Sequence, residues 1–217
     1  KTTTLYTALA QMDAHQRSVF TLEDPIEYRL PLIRQTQVNA EIGMSFSNSL
    51  RALLRQDPDV ILLGEIRDEE TAQLATRAAL TGHLVLSTLH TNSAVGAVPR
   101  LINMGVEAYL LSSALLGVLA QRLVRKICPD CVEEDPDALR IVAGLDIEVP
   151  PDARFYKGRG CRRCRGTGFE GREAIFEVLE VNEQLGVMFR AGIQEGDILK
   201  VALKNGFRPM IRDGIAK

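Results

Sequence analysis

Apolar positions along this chain keep two rhythms. Leu5, Leu9 and Met12 recur every three to four residues, which predicts a helix from Lys1 to about Ala14. SVFTLED, Ser18 to Asp24, is a β-branched and aromatic run stopped by Pro25, and predicts a short buried strand. Ser45 to Arg55 returns to helical spacing and is closed by DPD. DVILLGEI, Asp59 to Ile66, is apolar without a break, as in strands covered on both faces of a parallel sheet. Asp68 is placed to cap a helix running to about Leu80. HLVLSTLH, His83 to His90, repeats the buried-strand pattern. Asn92 or Ser93 opens a helix to about Met104, and a long helix is expected from Glu107 to about Lys126, its apolar stripe packed on the sheet.

Strand and helix in alternation predict an α/β fold, a parallel sheet with helices on both faces. The pattern breaks at Cys128. From there to about Arg172 the chain is rich in Gly, Pro, Cys and Arg, as in a small inserted module. EAIFEVLEV, Glu173 to Val181, is strand-like again, and short helical patterns follow at Glu183 to Arg190 and Asp197 to Lys204. Three parts are therefore expected: 1–127, 128–172 and 173–217.

Composition narrows the function. Apolar residues make up 46% and charged residues 25%, an ordinary globular balance. A net charge of −2 argues against a nucleic-acid coat or a polybasic membrane binder. The longest near-apolar stretch, AYLLSSALLGVLA, is too short to span a bilayer. The opening KTTTLYTALAQM and the closing FRPMIRDGIAK both stop in mid-pattern, so a fragment of a longer protein is expected.

Ligands of open parallel sheets bind beyond the carboxyl ends of the strands. Here the first strand ends in Glu23-Asp24, the second in Gly64-Glu65, and the third in Thr88-Leu89-His90. Two acidic ends and an imidazole would reach one edge. A helix opening Lys-Thr-Thr matches the tail of a phosphate-binding loop, G-x-x-x-x-G-K-[ST], whose glycines would precede Lys1. Lys1 would then place its ammonium on the β- and γ-phosphates of ATP. Thr2, followed by Thr3, would offer a hydroxyl to Mg²⁺, and the helix N-terminus would add N–H groups.

These segments together resemble the secretion ATPases of bacterial type II secretion and type IV pilus assembly. FTLEDPIEYRL, Phe20 to Leu30, resembles the family's aspartate box. LRALLRQDPDVILLGEIRD, Leu50 to Asp68, resembles its Walker B region, and TGHLVLSTLHTNSA, Thr81 to Ala94, its histidine box. The resemblance implies a RecA-like P-loop NTPase core working as a homohexamer, peripheral to the cytoplasmic face of the inner membrane. It implies partners too: a membrane platform protein that adds pilin-like subunits, and a cytoplasmic adaptor. The two cysteine pairs, absent from the family's retraction ATPases, favour a secretion or assembly motor. The resemblance makes His90 a sensor of the γ-phosphate; the residues alone also allow a core histidine bonded to a backbone carbonyl. Gly64 stands where many Walker B strands carry Asp. Base and metal partner therefore stay open among Glu23, Asp24, Glu27 and Glu65. Arg51, Arg55 and Arg67 are candidates for neutralising transition-state charge, with an ordinary ion pair the expectation for Arg67. Without the glycine loop, the chain as written is expected to bind ATP poorly, so the activity belongs to the longer parent.

Four cysteines stand as CPDC and CRRC: Cys128 and Cys131, twenty-nine residues, then Cys161 and Cys164. Two C-x2-C pairs in an otherwise cysteine-free chain predict a closed, structural Zn²⁺ site in a reducing compartment. Gly158, Gly160, Gly166 and Gly168 flank the second pair and suit tight turns. Lys157, Arg159, Arg162, Arg163, Arg165 and Arg172 make the module basic, which fits an acidic partner loop, anionic lipid or a solvated face. A zinc-bearing nucleic-acid translocase or helicase is the alternative function. With no Trp and 5% aromatics, the chain has few platforms for base stacking, and no nucleic-acid partner is expected.

Overall fold

The computed structural model describes residues 1–144, 152–190 and 192–217. Residues 145–151, inside the expected cysteine module, lie outside the described residues. The chain divides into two compact units: Lys1–Ala120 with Val178–Phe207, and Gln121–Glu177 with Arg208–Lys217.

In the first unit, helix α1 (Thr2–Ala10) leads to strand β1 (Val19–Glu23), then β2 (Arg34–Gln37) and helix α2 (Phe46–Leu53). Strand β3 (Val60–Leu63), helix α3 (Glu69–Leu80), strand β4 (Leu84–Ser87) and helices α4 (Ala97–Asn103) and α5 (Ala108–Ala114) follow. The four strands are parallel in the order β2-β1-β3-β4, with Thr21 opposite Gln35 and Leu62, and Leu62 opposite Leu86. Alternation along each strand sorts side chains between two layers. Phe20, Leu22, Ile61 and Leu63 pack with Leu50 and Leu53 of α2 and Ala75 and Ala78 of α3. Val19, Val60 and Leu62 pack with Leu9 on the α1 side. The two central strands, β1 and β3, are buried throughout, whereas β4 at the sheet edge is half-buried. Two helix starts carry side-chain caps, the expected one at Asp68, which accepts from the Thr71 N–H at 2.8 Å, and one at Ser45, which accepts from the Asn48 N–H at 3.2 Å. Each such cap contributes on the order of 1 kcal/mol.

The long helix expected from Glu107 to Lys126 does not form. α5 ends at Ala114, and the chain continues as strand β5 (Gly117–Ile127). GVLAQRLV alternates Val118, Ala120 and Arg122 with Leu119, Gln121 and Leu123, so strand and helix periods both fit the same letters. Gly117 decides locally, because its Cα lies so close to β8 (Phe169–Glu180) that an added Cβ would meet the Leu179 carbonyl at 3.0 Å. β5 and β8 form a two-stranded sheet. Leu116, Leu119 and Leu123 are exposed rather than buried in a helix–sheet core.

The second unit holds the antiparallel pair β6 (Val132–Glu134) and β7 (Tyr156–Gly158), joined through helix α6 (Ala138–Ala143) and the undescribed 145–151. Helix α9 (Met210–Ala216) belongs to this unit; α7 (Glu183–Gly186) and α8 (Glu195–Lys204) belong to the first. The latter two pack Leu185, Ile198 and Ala202 against Val98 and Leu101 of α4 and Leu111 of α5.

Candidate functional site

The carboxyl ends of β3 and β4 are stitched together by backbone and hydroxyl bonds. The Ile66 N–H donates to the Thr88 carbonyl at 3.0 Å, and the Thr88 hydroxyl donates to the Gly64 carbonyl at 2.8 Å. This lateral tie aligns the two residues that follow. His90 Nε2 lies 3.3 Å from Glu65 Oε2, while Arg67 pairs with Glu65 Oε1. The Arg67 guanidinium first, and His90 second, hold the Glu65 carboxyl below its usual range. Arg67 is raised in turn, chiefly by Glu65 and further by the charge of Asp24. Asp24, exposed just past β1, therefore shares the field of this cluster.

Gly64 is explained by packing. An added Cβ would sit 3.2 Å from the Leu22 carbonyl and 3.5 Å from the Glu23 Cα. The end of β3 thus runs against the backbone of β1, and an acidic side chain in place of Gly64 would meet that wall.

Lys1 forms the N-cap of α1, and no side chain caps this helix. Its Nζ donates to the Leu89 carbonyl at 2.7 Å, one residue before His90. Lys1, Glu65, Arg67 and His90 are thereby gathered where α1 begins and β3 and β4 end. Thr2 and Thr3 lie in the first turn of α1. Glu23 is placed differently. It is 3% exposed, and its carboxylate receives the Tyr6 phenol, the Thr21 hydroxyl and the Gln35 amide. Burial first, and then Glu23, push the Tyr6 phenol up to about 12. Glu27 is exposed. Arg51 pairs with Glu70, in the first turn of α3, at 2.7 Å, and His83 Nδ1 lies 2.8 Å from the Ala78 carbonyl near the end of α3.

The partners of Glu23 were not singled out from the sequence. Tyr6 carried a signal in its place one helical turn after Thr2, and Thr21 in sharing the parity of Glu23 along β1. Gln35 carried none, because RQTQ has too little apolar content to announce β2.

In the second unit the four cysteine sulfurs lie within 4.8 Å of one another. Sγ separations are 3.9 Å for Cys128–Cys161, 3.8 Å for Cys131–Cys164 and 3.7 Å for Cys161–Cys164. Tetrahedral zinc with Zn–S near 2.3 Å requires sulfurs about 3.8 Å apart, so the donor set fits. Cys164 accepts backbone N–H bonds from Cys161 at 3.1 Å and Gly168 at 3.2 Å, and these lower its thiol to about 6. Gly158 and Gly168 cross at van der Waals contact: a Cβ on Gly158 would lie 2.0 Å from the Gly168 carbonyl oxygen. Gly168 in turn accepts the Cys128 N–H at 2.9 Å.

A family model described as type II/IV secretion system protein matches residues 1–217. The chain belongs to that family. It is 52% identical over 200 residues to a type II secretion system protein E from Klebsiella pneumoniae, covering 92% of this chain and 40% of that one. It is 48% identical over 220 residues to the type IV pilus assembly ATPase PilB of Thermus thermophilus, covering 100% of this chain and 25% of that one. The family chain described here thus spans less than half the length of these relatives. Among solved structures, the pilus retraction motor PilT with bound ADP superposes with a TM-score of 0.59 at 30% identity, over 88% of this chain and 46% of that one. The ATPase DotB of Legionella pneumophila shares the fold, with a TM-score of 0.67 at 21% identity over 98% of this chain and 51% of that one. Both neighbours agree with the α/β fold expected from the strand–helix alternation.

Proposed function

We propose that the parent of this chain is an ATP-hydrolysing motor of type II secretion or type IV pilus assembly. The observation that carries the reading is the gathering of Lys1, Glu65 and His90 at one end of the sheet, at the start of α1. Lys1 would hold the β- and γ-phosphates, and Thr2 and Thr3 would complete the phosphate-binding turn. Mg²⁺, held through Thr2 and a neighbouring acid, would supply charge neutralisation when bound. Glu65 sits as an ionised carboxylate, positioned to orient or take a proton from a water. Glu23 and Asp24 are the acids on the neighbouring strand. His90, in contact with Glu65, can report the phosphate end of the site to the loop after β4. Arg67 neutralises Glu65 and leaves transition-state charge to another cation.

A strand preceding Lys1 would add at the half-buried edge of β4 and bring its glycine loop to the start of α1. The basic cysteine module, closed by zinc on its four thiolates, would face the membrane partner. A homohexamer, a platform protein and an adaptor complete the proposed assembly. Among the described residues no helix is long and apolar enough to cross a membrane, which is compatible with peripheral attachment. Identity is 48–52% to secretion and assembly relatives against 30% to the retraction motor, which favours export or extension over retraction.

The test is ATP turnover by the full-length protein. Glu65→Gln is expected to lower kcat at least 100-fold while nucleotide affinity stays within a fewfold. Lys1→Ala is expected to abolish nucleotide binding. Unchanged turnover in both variants refutes the reading, and strong stimulation by single-stranded DNA would replace it with a translocase.

A further inference from the structure

Glu23 is held from three elements at once. Alternation along β1 puts Val19, Thr21 and Glu23 on the face covered by α1, so Tyr6 of that helix meets the Glu23 carboxylate. The Tyr6 phenol donates to Oε2. The Thr21 hydroxyl donates to Oε1 at 2.5 Å, and the Gln35 amide of β2 donates to the same oxygen at 3.1 Å. Tyr6 is 1% exposed and its ring stands edge-on to Tyr28, with centroids 4.5 Å apart. The hydroxyl has little freedom to turn elsewhere. Its raised ionisation, near 12, keeps it a donor at any physiological pH.

A carboxylate offers about four acceptor positions. Among the described residues three are filled, and the open one lies on Oε2, beside the bond from Tyr6. The direction in which Glu23 can receive one more donor is therefore set by the phenol. The phenol rides on the helix that begins at Lys1.

We infer that Tyr6 is a positioning residue for Glu23: its hydrogen bond aims the remaining lone pair of the carboxylate and ties that aim to the phosphate-binding end of α1. The donor received there would be a water, free or on a hydrated metal ion. This inference rests on the ATPase reading of the site. It assigns Tyr6 no contact with nucleotide.

Tyr6→Phe keeps the ring and its packing and removes only the hydroxyl. In the full-length protein it is expected to lower kcat for ATP about tenfold, the effect of one hydrogen bond to a charged group, with KM within about twofold. In a Glu23→Gln background it should cost nothing further. A readout independent of turnover is the tyrosine Raman doublet of the nucleotide-free protein, isolated as wild type minus Tyr6→Phe. It should report a strongly donating phenol, and a weaker donor once Glu23→Gln is introduced. An unchanged kcat, full additivity with Glu23→Gln, or a doublet indifferent to Glu23→Gln would each overturn the proposal. Should Tyr6→Phe fail to fold, site-specific 3,5-difluorotyrosine retains the shape and changes the acidity of the donor; an unaltered kcat there also overturns it. Wild-type protein without turnover, or Lys1→Ala as active as wild type, would sink the ATPase reading itself. Active wild type with a silent Tyr6→Phe sinks only the role of Tyr6.

Discussion

His90 Nε2 lies 3.3 Å from Glu65 Oε2, although twenty-five positions separate the two residues. The contact depends on a neighbour that touches neither side chain: the Thr88 hydroxyl, bonded to the Gly64 carbonyl at 2.8 Å, fixes the spacing of the two strand ends. Thr88→Val keeps the β-branched shape and deletes that bond. It is expected to destabilise the fold by about 1 kcal/mol. It should also lower kcat of the full-length protein roughly tenfold, because a misaimed carboxylate loses orientation before it loses affinity. Steady-state kinetics with a thermal melt separates the two effects. A variant with lowered melting temperature and full kcat would show that the tie is structural only.

The depressed Glu65 carboxyl makes a pH prediction. A carboxyl lowered from 4.5 by folding contributes stability that is fully present above that value. The contribution is lost as pH falls through the lower, folded value. The stability gap between wild type and Glu65→Gln should therefore be greatest near neutral pH and shrink below about pH 4.5. Because the Arg67 side chain is 60% exposed, high salt should narrow the gap as well. Guanidinium-independent unfolding by urea at pH 7, 5 and 3 measures it; a gap that widens on acidification contradicts the assigned partners.

Metal content tests the cysteine cluster. About one Zn²⁺ per chain is expected after gentle purification, and chelation should melt the second unit before the first. Gly158→Ala offers a sharper probe, since it leaves all four thiols in place. Its methyl carbon would lie 2.0 Å from the Gly168 carbonyl oxygen, backbone that cannot swing aside. Separation of these two segments parts Cys128 from Cys164, both bonded to Gly168. Gly158→Ala should bind less than half the wild-type zinc; full occupancy would show that the crossing is not needed to assemble the site.

Legibility in the sequence followed the strength of local signals. β1 and β3 were readable because each is buried on both faces, which forces an unbroken apolar run. The cap at Asp68 was readable because an orphan N–H group selects an oxygen at a fixed offset. Glu65 and His90 could be placed at strand ends, but their contact depends on the register of β3 against β4, which no local pattern encodes. Glu23 illustrates the reverse case. Its position was clear, while its three donors come from α1, β1 and β2, and β2 has no apolar rhythm to reveal it. β5 was misread as helix because its alternation also satisfies a helical stripe, and the pairing with β8 that decides the matter is made some sixty residues later. α9 left no trace, since MIRDGIA is short and owes its place to contacts with β8.

Those contacts supply the last prediction. Asp213 on α9 accepts the Phe176 N–H of β8 at 2.8 Å, and Lys217 lies 3.0 Å from the same carboxylate oxygen. Lys217 first, and the Phe176 N–H second, hold the Asp213 carboxyl below its usual range. Its contribution is therefore present above pH 3.8 and fades as the folded carboxyl takes up its proton at lower pH. A second carboxylate, Glu177 of β8, accepts the Met210 N–H at 2.8 Å at the start of the helix. Two acids thus clamp α9 to β8 from opposite strands of the bond network: one on the helix reaching the strand backbone, one on the strand reaching the helix backbone. Asp213→Asn keeps the shape and weakens the acceptor. Hydrogen exchange at the Phe176 amide should accelerate about tenfold at pH 7, with little change at amides of β1 and β3 in the other unit. Uniform acceleration across both units would mean that α9 contributes to global stability rather than to a local clamp.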